Sequence, residues 1–406
     1  MKAFLYKAKG AVALTLAMSM FCPQVFAAEA LSAEEQGVQP APVVELTPEA
    51  LAAQETPKLT FEEALEKAKK SSPDLRAIED TADYLKETKD LIKDMTDGSF
   101  KVPDYSYTQS VNDGWHALVT SIFNVKQGME GNTMNREITN MKLEVSVKSF
   151  FTKIIQTQDQ LELLKKNAEI QQKLYVQGQT KYRLGMLSKY NLEQLKVAAQ
   201  QAKDTVALLE ASQEQNYIKF NQLIGEYPDV RYELVYDLTF EPYELQGTLD
   251  NFIDNKIKNN DYAIKAQEMA LEKAKFSKNY QADSNTPAGA ETLEYNYDTA
   301  RRDLKTAKQN KETLMRNTYL QIQQLETSYA SAQADVAKAA ADYRVAQVNH
   351  QAGNVTKTLV EQAEMGLISA ENALKEIVYN HDMLIYTFEN PTLLVDTSAM
   401  SGASAR

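Results

Sequence analysis

Residues 182–194 read Tyr-Arg-Leu-Gly-Met-Leu-Ser-Lys-Tyr-Asn-Leu-Glu-Gln, and residues 350–362 read His-Gln-Ala-Gly-Asn-Val-Thr-Lys-Thr-Leu-Val-Glu-Gln. At a constant offset of 168, Gly185, Lys189, Glu193 and Gln194 meet Gly353, Lys357, Glu361 and Gln362. Leu187, Ser188 and Leu192 meet Val355, Thr356 and Val360, and downstream Ala202, Val206, Leu209 and Phe220 fall on Ala370, Leu374, Ile377 and Phe388. A unit made of helix, tight turn and helix is therefore duplicated within the chain. Gly185 and Gly353 supply the positive backbone dihedral that ends a long helix, and Ser188 and Thr356 offer an oxygen to the N–H groups opening the next one. Leu187 and Val355 sit just before those caps, placed to staple the turn. Such chemistry also describes an ordinary antiparallel hairpin. Its repetition adds that both tips share one end of the molecule.

Around these turns the chain is helical. Only 14 glycines and 11 prolines occur in 406 residues, with no proline between Pro103 and Pro228 or between Pro287 and Pro391. Thr60 and Glu63 form a capping-box pattern opening a short helix to about Ser71, and Asp74 to about Lys93 makes a longer one. Apolar residues then step by three or four from Asn135 to about Val176, from Leu192 to Ile224, from Leu249 to about Asn259, from Asp261 to Ala274, from about Glu291 to Val348 and from Leu359 to Phe388. Residues 95–134 are the least regular part. Gly98, Pro103, Gly128 and Gly131 interrupt them, and Trp115, Ala117, Val119, Ser121 and Phe123 alternate weakly, as a strand would. Leu234–Phe240 suggests one short strand in a connector. The expected class is all-α: two long antiparallel hairpins with little or no β structure.

The N-terminus has basic Lys2, Lys7 and Lys9, an apolar run from Gly10 to Phe21 and a small-residue exit at Ala27, the layout of a signal peptide over residues 1–27 and of an exported protein. Removing it shifts the formal charge from −12 to −15, which disfavours nucleic acid as a partner. Cys22, the only cysteine, would leave with it, so the mature chain carries no disulfide and no thiolate metal site. Residues 28–58, with six glutamates, Lys58 and four prolines, read as a disordered acidic linker. The remaining divisions are a first helical repeat over 59–225, a connector over 226–250, a second repeat over 251–390 and a flexible tail over 391–406.

Catalytic patterns are missing. His116, His350 and His381 have no second ligand at metal spacing, and His381 falls on an apolar seam where the first repeat has Gln213, a register-setting position. No phosphate loop, nucleophile elbow or zinc-protease pattern occurs. Neither an enzyme nor a cofactor is expected, and the 21 tyrosines read as packing residues between helices.

The order of elements, with Leu59-Thr60-Phe61-Glu62-Glu63-Ala64-Leu65, Ser71-Ser72-Pro73-Asp74-Leu75, long helices and a Gly-x-Leu-Ser turn repeated as Gly-x-Val-Thr, resembles the TolC family of outer-membrane efflux and secretion ducts over residues 59–390. The resemblance implies a TolC-like α-barrel body, a homo-trimer, and two tips that dock a membrane-fusion adaptor bound to an inner-membrane pump. By position the tips would be Leu184, Gly185, Leu187 and Ser188, and Gly353, Val355 and Thr356. Two departures stand out. Asn191 and Leu359 occupy the place where the family usually has Asp. Each half of the family pattern also carries a β-hairpin for the membrane barrel. A spanning strand takes about 9–11 residues, and only residues 95–134 have room for a hairpin, whereas residues 281–293 do not. From Asp74 to Gly185 the first half is 19 residues longer than the second half from Asp261 to Gly353. The expectation is a helical body whose membrane barrel is reduced or missing. The alternative is a barrel-less extracytoplasmic scaffold that conducts nothing.

Overall fold

The computed structural model describes residues 57–96, 98–102, 113–280 and 286–394. The signal peptide and all but the end of the acidic linker fall outside them. Strand β1 (Lys58–Thr60) leads into α1 (Phe61–Ser71) and α2 (Pro73–Met95), then α3 (Asp113–Arg183) and α4 (Lys189–Ile224). Strand β2 (Glu233–Val235) follows, then α5 (Leu249–Asn259), α6 (Tyr262–Tyr280), α7 (Pro287–Gln351), α8 (Lys357–Glu389) and a 3-10 turn at Pro391–Leu393. At about 1.5 Å per residue, the 71 residues of α3 extend roughly 105 Å.

The duplication governs the core. At the offset of the two turns, Val147, Phe151, Ile154 and Phe220 correspond to Met315, Tyr319, Ile322 and Phe388, and all but Tyr319 are fully buried. The first set packs with Leu59, Ala64, Ala68 and Ile224 where α1 closes the base of the α3/α4 hairpin. The second packs with Ile253, Ile257 and Ile264 where α5 and α6 close the base of α7/α8. Thr60 and Thr248 cap α1 and α5 alike, each accepting from a backbone N–H three residues on, and the Thr60–Glu63 capping box is complete. These caps stand 188 residues apart and the tip glycines 168, so the first half is 20 residues longer, and the excess lies around the α2–α3 joint.

Among the described residues the only sheet is the parallel pair β1–β2, with Lys58 opposite Glu233 and Thr60 opposite Val235. Among the described residues no closed barrel is formed. The α2–α3 joint, residues 96–112, and the α6–α7 joint, residues 281–286, are each too short for two spanning strands of about 9–11 residues and a turn. Among the described residues, no helix is long and apolar enough to cross a membrane.

Several expectations are corrected. Residues 113–134 are helix, not irregular chain or strand. Val119, Ile122 and Phe123 are spaced three and four apart and bury one face against α2 and α6, with Phe123 stacked on Phe276 at 4.0 Å. Gly128 and Gly131 do not break this helix. A Cβ on Gly128 would stand 3.1 Å from Leu85 Cδ2, and one on Gly131 3.7 Å from Met269 Cε, so these glycines lie where neighbouring side chains cross the helix. The strand expected over Leu234–Phe240 shrinks to Glu233–Val235, because only these residues meet the β1 backbone; Phe240 instead stacks on Tyr329 at 3.6 Å. Lys58 is in β1 rather than the linker, and α7 begins at Pro287 under a Thr286 cap rather than at about Glu291, while α5 spans Leu249–Asn259 as its periodicity implies. The tail is packed at its start. Pro391 is buried, and the Lys311 ammonium donates to the carbonyls of Pro391 and Leu394, both at 2.8 Å, while lying 3.4 Å from buried Asp261. Residues 395–406 lie outside the described part.

Candidate docking surface at the hairpin turns

The four long helices are ordered α4–α3–α8–α7, since α3 packs on both α4 and α8, and α7 packs on α8. An ion-pair ladder joins the two hairpins along α3 and α8. Lys148 meets Asp382 at 2.8 Å, Asp159 meets Lys375 at 2.9 Å, Lys166 meets Glu364 at 3.0 Å and Lys173 meets Glu361 at 2.7 Å. Residue numbers rise along α3 as they fall along α8, so the helices are antiparallel. Lys173 near the end of α3 faces Glu361 near the start of α8, which puts both turns at the same end.

At the opposite end of the ladder the Lys148 ammonium lies over the rings of Phe61 and Tyr386, and Asp382 also accepts from the Tyr236 hydroxyl at 3.0 Å. Burial, with Asp382 adding to it, pushes the Tyr236 phenol far above its ordinary range. Nearby, burial and then Glu389 push Tyr243 up to about 12. Both phenols therefore stay protonated donors at any physiological pH. His381 is buried on the α8 seam with Nε2 3.4 Å from Glu326 and its ring beside Phe240, as a packing position requires. Among the described residues no group of three or more His, Cys, Asp or Glu is placed to hold a metal.

The two turns share one backbone. Gly185 has φ +71° and donates to the Tyr182 carbonyl at 2.9 Å, while Met186 donates to the Lys181 carbonyl at 2.8 Å. Gly353 has φ +76° and donates to His350 at 2.9 Å, while Asn354 donates to Asn349 at 2.8 Å. Both are Schellman motifs, which satisfy carbonyls left open at a helix end and require a residue at positive φ. Nothing lies within 4 Å of a Cβ built on either glycine, so the dihedral alone calls for glycine there. Behind the first turn, Leu187, Leu192 and Leu195 converge on Gly178 of α3, which is buried and corresponds to buried Ala346 of α7.

The capping expectation holds at one tip. The Ser188 hydroxyl accepts from the Asn191 N–H at 3.2 Å, but Thr356 makes no side-chain cap. There the Leu359 N–H goes to the Thr356 backbone carbonyl at 3.1 Å, and the His350 Nδ1–H donates to the Val355 carbonyl at 2.9 Å. Leu187 and Val355 are half-buried staples; Leu184, Gly185, Ser188, Gly353 and Thr356 are exposed. Met186 and Tyr190, which the duplicated motif does not single out, are 72% and 70% exposed beside Leu184 at 68%. Their signal was available: large apolar side chains at a turn, where polar ones usually stand.

With these elements placed, the described fold matches solved structures closely enough to name its type. It resembles the CmeC outer membrane channel of Campylobacter jejuni with a TM-score of 0.58, at 12% identity over 85% of this chain and 89% of that one. The MtrE outer membrane channel of Neisseria gonorrhoeae gives 0.56 at 13% identity over 82% and 88%. The outer membrane protein VceC of Vibrio cholerae gives 0.54 at 12% over 81% and 96%. The chain has the helical fold of TolC-type outer-membrane channels. No protein-family model and no curated protein matches it in sequence. In this TolC-like fold the two glycine turns lie at the same end, and α4 and α7 are the outer helices of the four.

Proposed function

We propose that the chain is an exported, non-enzymatic helical duct component of a cell-envelope efflux or secretion system, whose two tips dock a membrane-fusion adaptor. The observation that carries this reading is the placement of two duplicated, Schellman-capped turns at one end of a TolC-like channel fold. Self-association is the second part of the reading. Outer helix α7 already buries one apolar seam on α8, yet Leu320, Ala330, Ala334, Ala337, Ala341, Val345 and Val348 form another stripe that is exposed. On α4, Val197 and Leu208 are likewise exposed opposite the α3 seam. A helix with two apolar stripes fits between two neighbours. Contact of α4 in one copy with α7 of the next is head-to-tail, a geometry that forms a ring when its rotation closes, and the resemblance supplies three as the size of that ring. An inner-membrane pump behind the adaptor and an outer-membrane or periplasmic location belong to the same reading.

The shortness of the α2–α3 and α6–α7 joints favours a second reading, a barrel-less extracytoplasmic scaffold that keeps the hairpins and conducts nothing. Extraction and conductance separate the two. A duct is expected as a trimer released from the envelope only by detergent and giving ion conductance in a planar bilayer. A monomer released without detergent, silent in the bilayer, would overturn the duct in favour of the scaffold.

A further inference from the structure

The two tips share a backbone and differ in chemistry. Between Gly178 and Leu192 the first tip carries Lys181, Arg183 and Lys189 and no acidic residue, on a chain of net charge −12. None of the three has an ion-pair partner among the described residues; Arg183 reaches only the Thr180 hydroxyl, at 3.4 Å. These cations surround exposed Leu184, Met186 and Tyr190. Between Ala346 and Val360 the second tip has one lysine, Lys357, and its end residue Asn354 is polar where the first tip has Met186. The glutamates duplicated just beyond the turns are also used differently: Glu361 is paired across to Lys173, and Glu193 locally to Lys196 at 3.3 Å.

We propose that the first tip is the principal docking element and that its partner is an acidic protein surface, carboxylates bordering an apolar hollow that receives Leu184 and Met186. This rests on the adaptor-docking reading and specifies the adaptor's chemistry. Large apolar side chains inserted into a pocket anchor an interface, while opposite charges around them set the encounter rate and reject wrong partners. The Schellman bonds, the Ser188 cap and the leucines over Gly178 already fix the turn, so docking orders little further chain. A lipid surface is the weaker fit. Two projecting side chains insert less apolar area than one acyl chain, which by itself holds a protein on a membrane only marginally.

The test uses the full-length protein in its own cells, with the photocrosslinking amino acid benzoylphenylalanine placed at Met186 or, separately, at Asn354, and adducts identified by peptide mass spectrometry. The expected result is a Met186 adduct with a membrane-fusion adaptor through a net acidic peptide. Its yield falls roughly tenfold in K181E/R183E/K189E and is unchanged in K357E. An adduct with a neutral or basic adaptor peptide, or a yield indifferent to the triple reversal, overturns the acidic partner and leaves adaptor docking standing. An adaptor adduct from Asn354 alone overturns the priority of the first tip. Absence of adaptor adducts from both positions overturns docking itself. An adduct only with a second copy of this chain, or charge-dependent sedimentation of the purified protein with phosphatidylglycerol vesicles and no protein adduct, replaces the adaptor with that occupant.

Discussion

The α3/α4 and α7/α8 hairpins keep the same packing and turn-glycine positions and differ in the surfaces at both ends. Val147, Phe151, Ile154, Gly178, Gly185 and Phe220 in one answer to Met315, Tyr319, Ile322, Ala346, Gly353 and Phe388 in the other. Each of these positions limits how closely two long helices can run or how they reverse, and no solvent can take over its role. The first base adds the β1–β2 pair to α1, and the second adds the Lys311–Asp261 contact and the packed 3-10 turn to α5 and α6. The tips differ in charge and apolar exposure. The difference teaches that duplication preserved helix packing while the surfaces acquired separate roles.

The comparison is tested most severely in the two cores. Phe220→Ala and Phe388→Ala are each expected to cost about 3–5 kcal/mol in denaturant unfolding. Phe388→Ala should cost more, because Phe388 also stacks on Phe252 at 4.9 Å and meets Tyr243 and Tyr319 at 5.7 Å, whereas Phe220 meets Phe151 at 5.5 Å and Phe150 at 6.3 Å. A negligible loss at either site would show that the buried pattern is not shared.

The turns come next. Gly185→Ala and Gly353→Ala each force a side chain into the left-handed region at about 1–2 kcal/mol, and the two losses should match, since neither site is crowded. Unequal losses would mean that one turn is held by contacts the other lacks. Capping should then separate the tips. Ser188→Ala removes an observed hydrogen bond and is expected to cost about 1 kcal/mol, while Thr356→Ala removes none and stays within about 0.5 kcal/mol. Local hydrogen exchange at Asn191 and Leu359 reads both changes, and equal protection loss would contradict the asymmetry.

The smallest effect belongs to the first base. Lys67 and Glu226 pair at 2.6 Å, holding the Glu226 carboxyl below its ordinary value near 4.5 and raising Lys67. A depressed carboxylate contributes stability above its unfolded pKa and loses it as pH falls through the folded one. Wild type should thus lose a small advantage over Glu226→Gln as pH drops below about 4.5. A difference independent of pH would remove the pair from the stability of this base.

How much was legible follows from where each cause resides. Thr60–Glu63, Gly185, Gly353 and Ser188 act within four residues of themselves, so their roles could be read from local sequence. Thr356 shows the limit of that reading, since the same residue type in the same frame leaves its hydroxyl out of the cap when Leu359 bonds the backbone carbonyl instead. Gly128 and Gly131 suggest breaks because glycine is weak in helices, yet they lie inside α3, where Leu85 and Met269 cross it. The tail looks loose in sequence because nothing near it reveals Lys311, whose ammonium holds Pro391 and Leu394. Gly178 carries no local signal for the same reason, since the leucines that cover it belong to the turn and α4.

By itself the sequence determined the all-helical class, the duplicated hairpin, the glycine turns and the scarcity of chain for a membrane barrel. These depend on periodicity, on backbone stereochemistry and on counting residues, all of which are local or additive. Tertiary structure alone decided which helix lies beside which, that Lys148, Asp159, Lys166 and Lys173 tie α3 to α8, and that Leu184, Met186 and Tyr190 face outward. A contact between residues about two hundred positions apart leaves no periodic trace in either segment, and exposure is a property of the neighbours that fail to arrive.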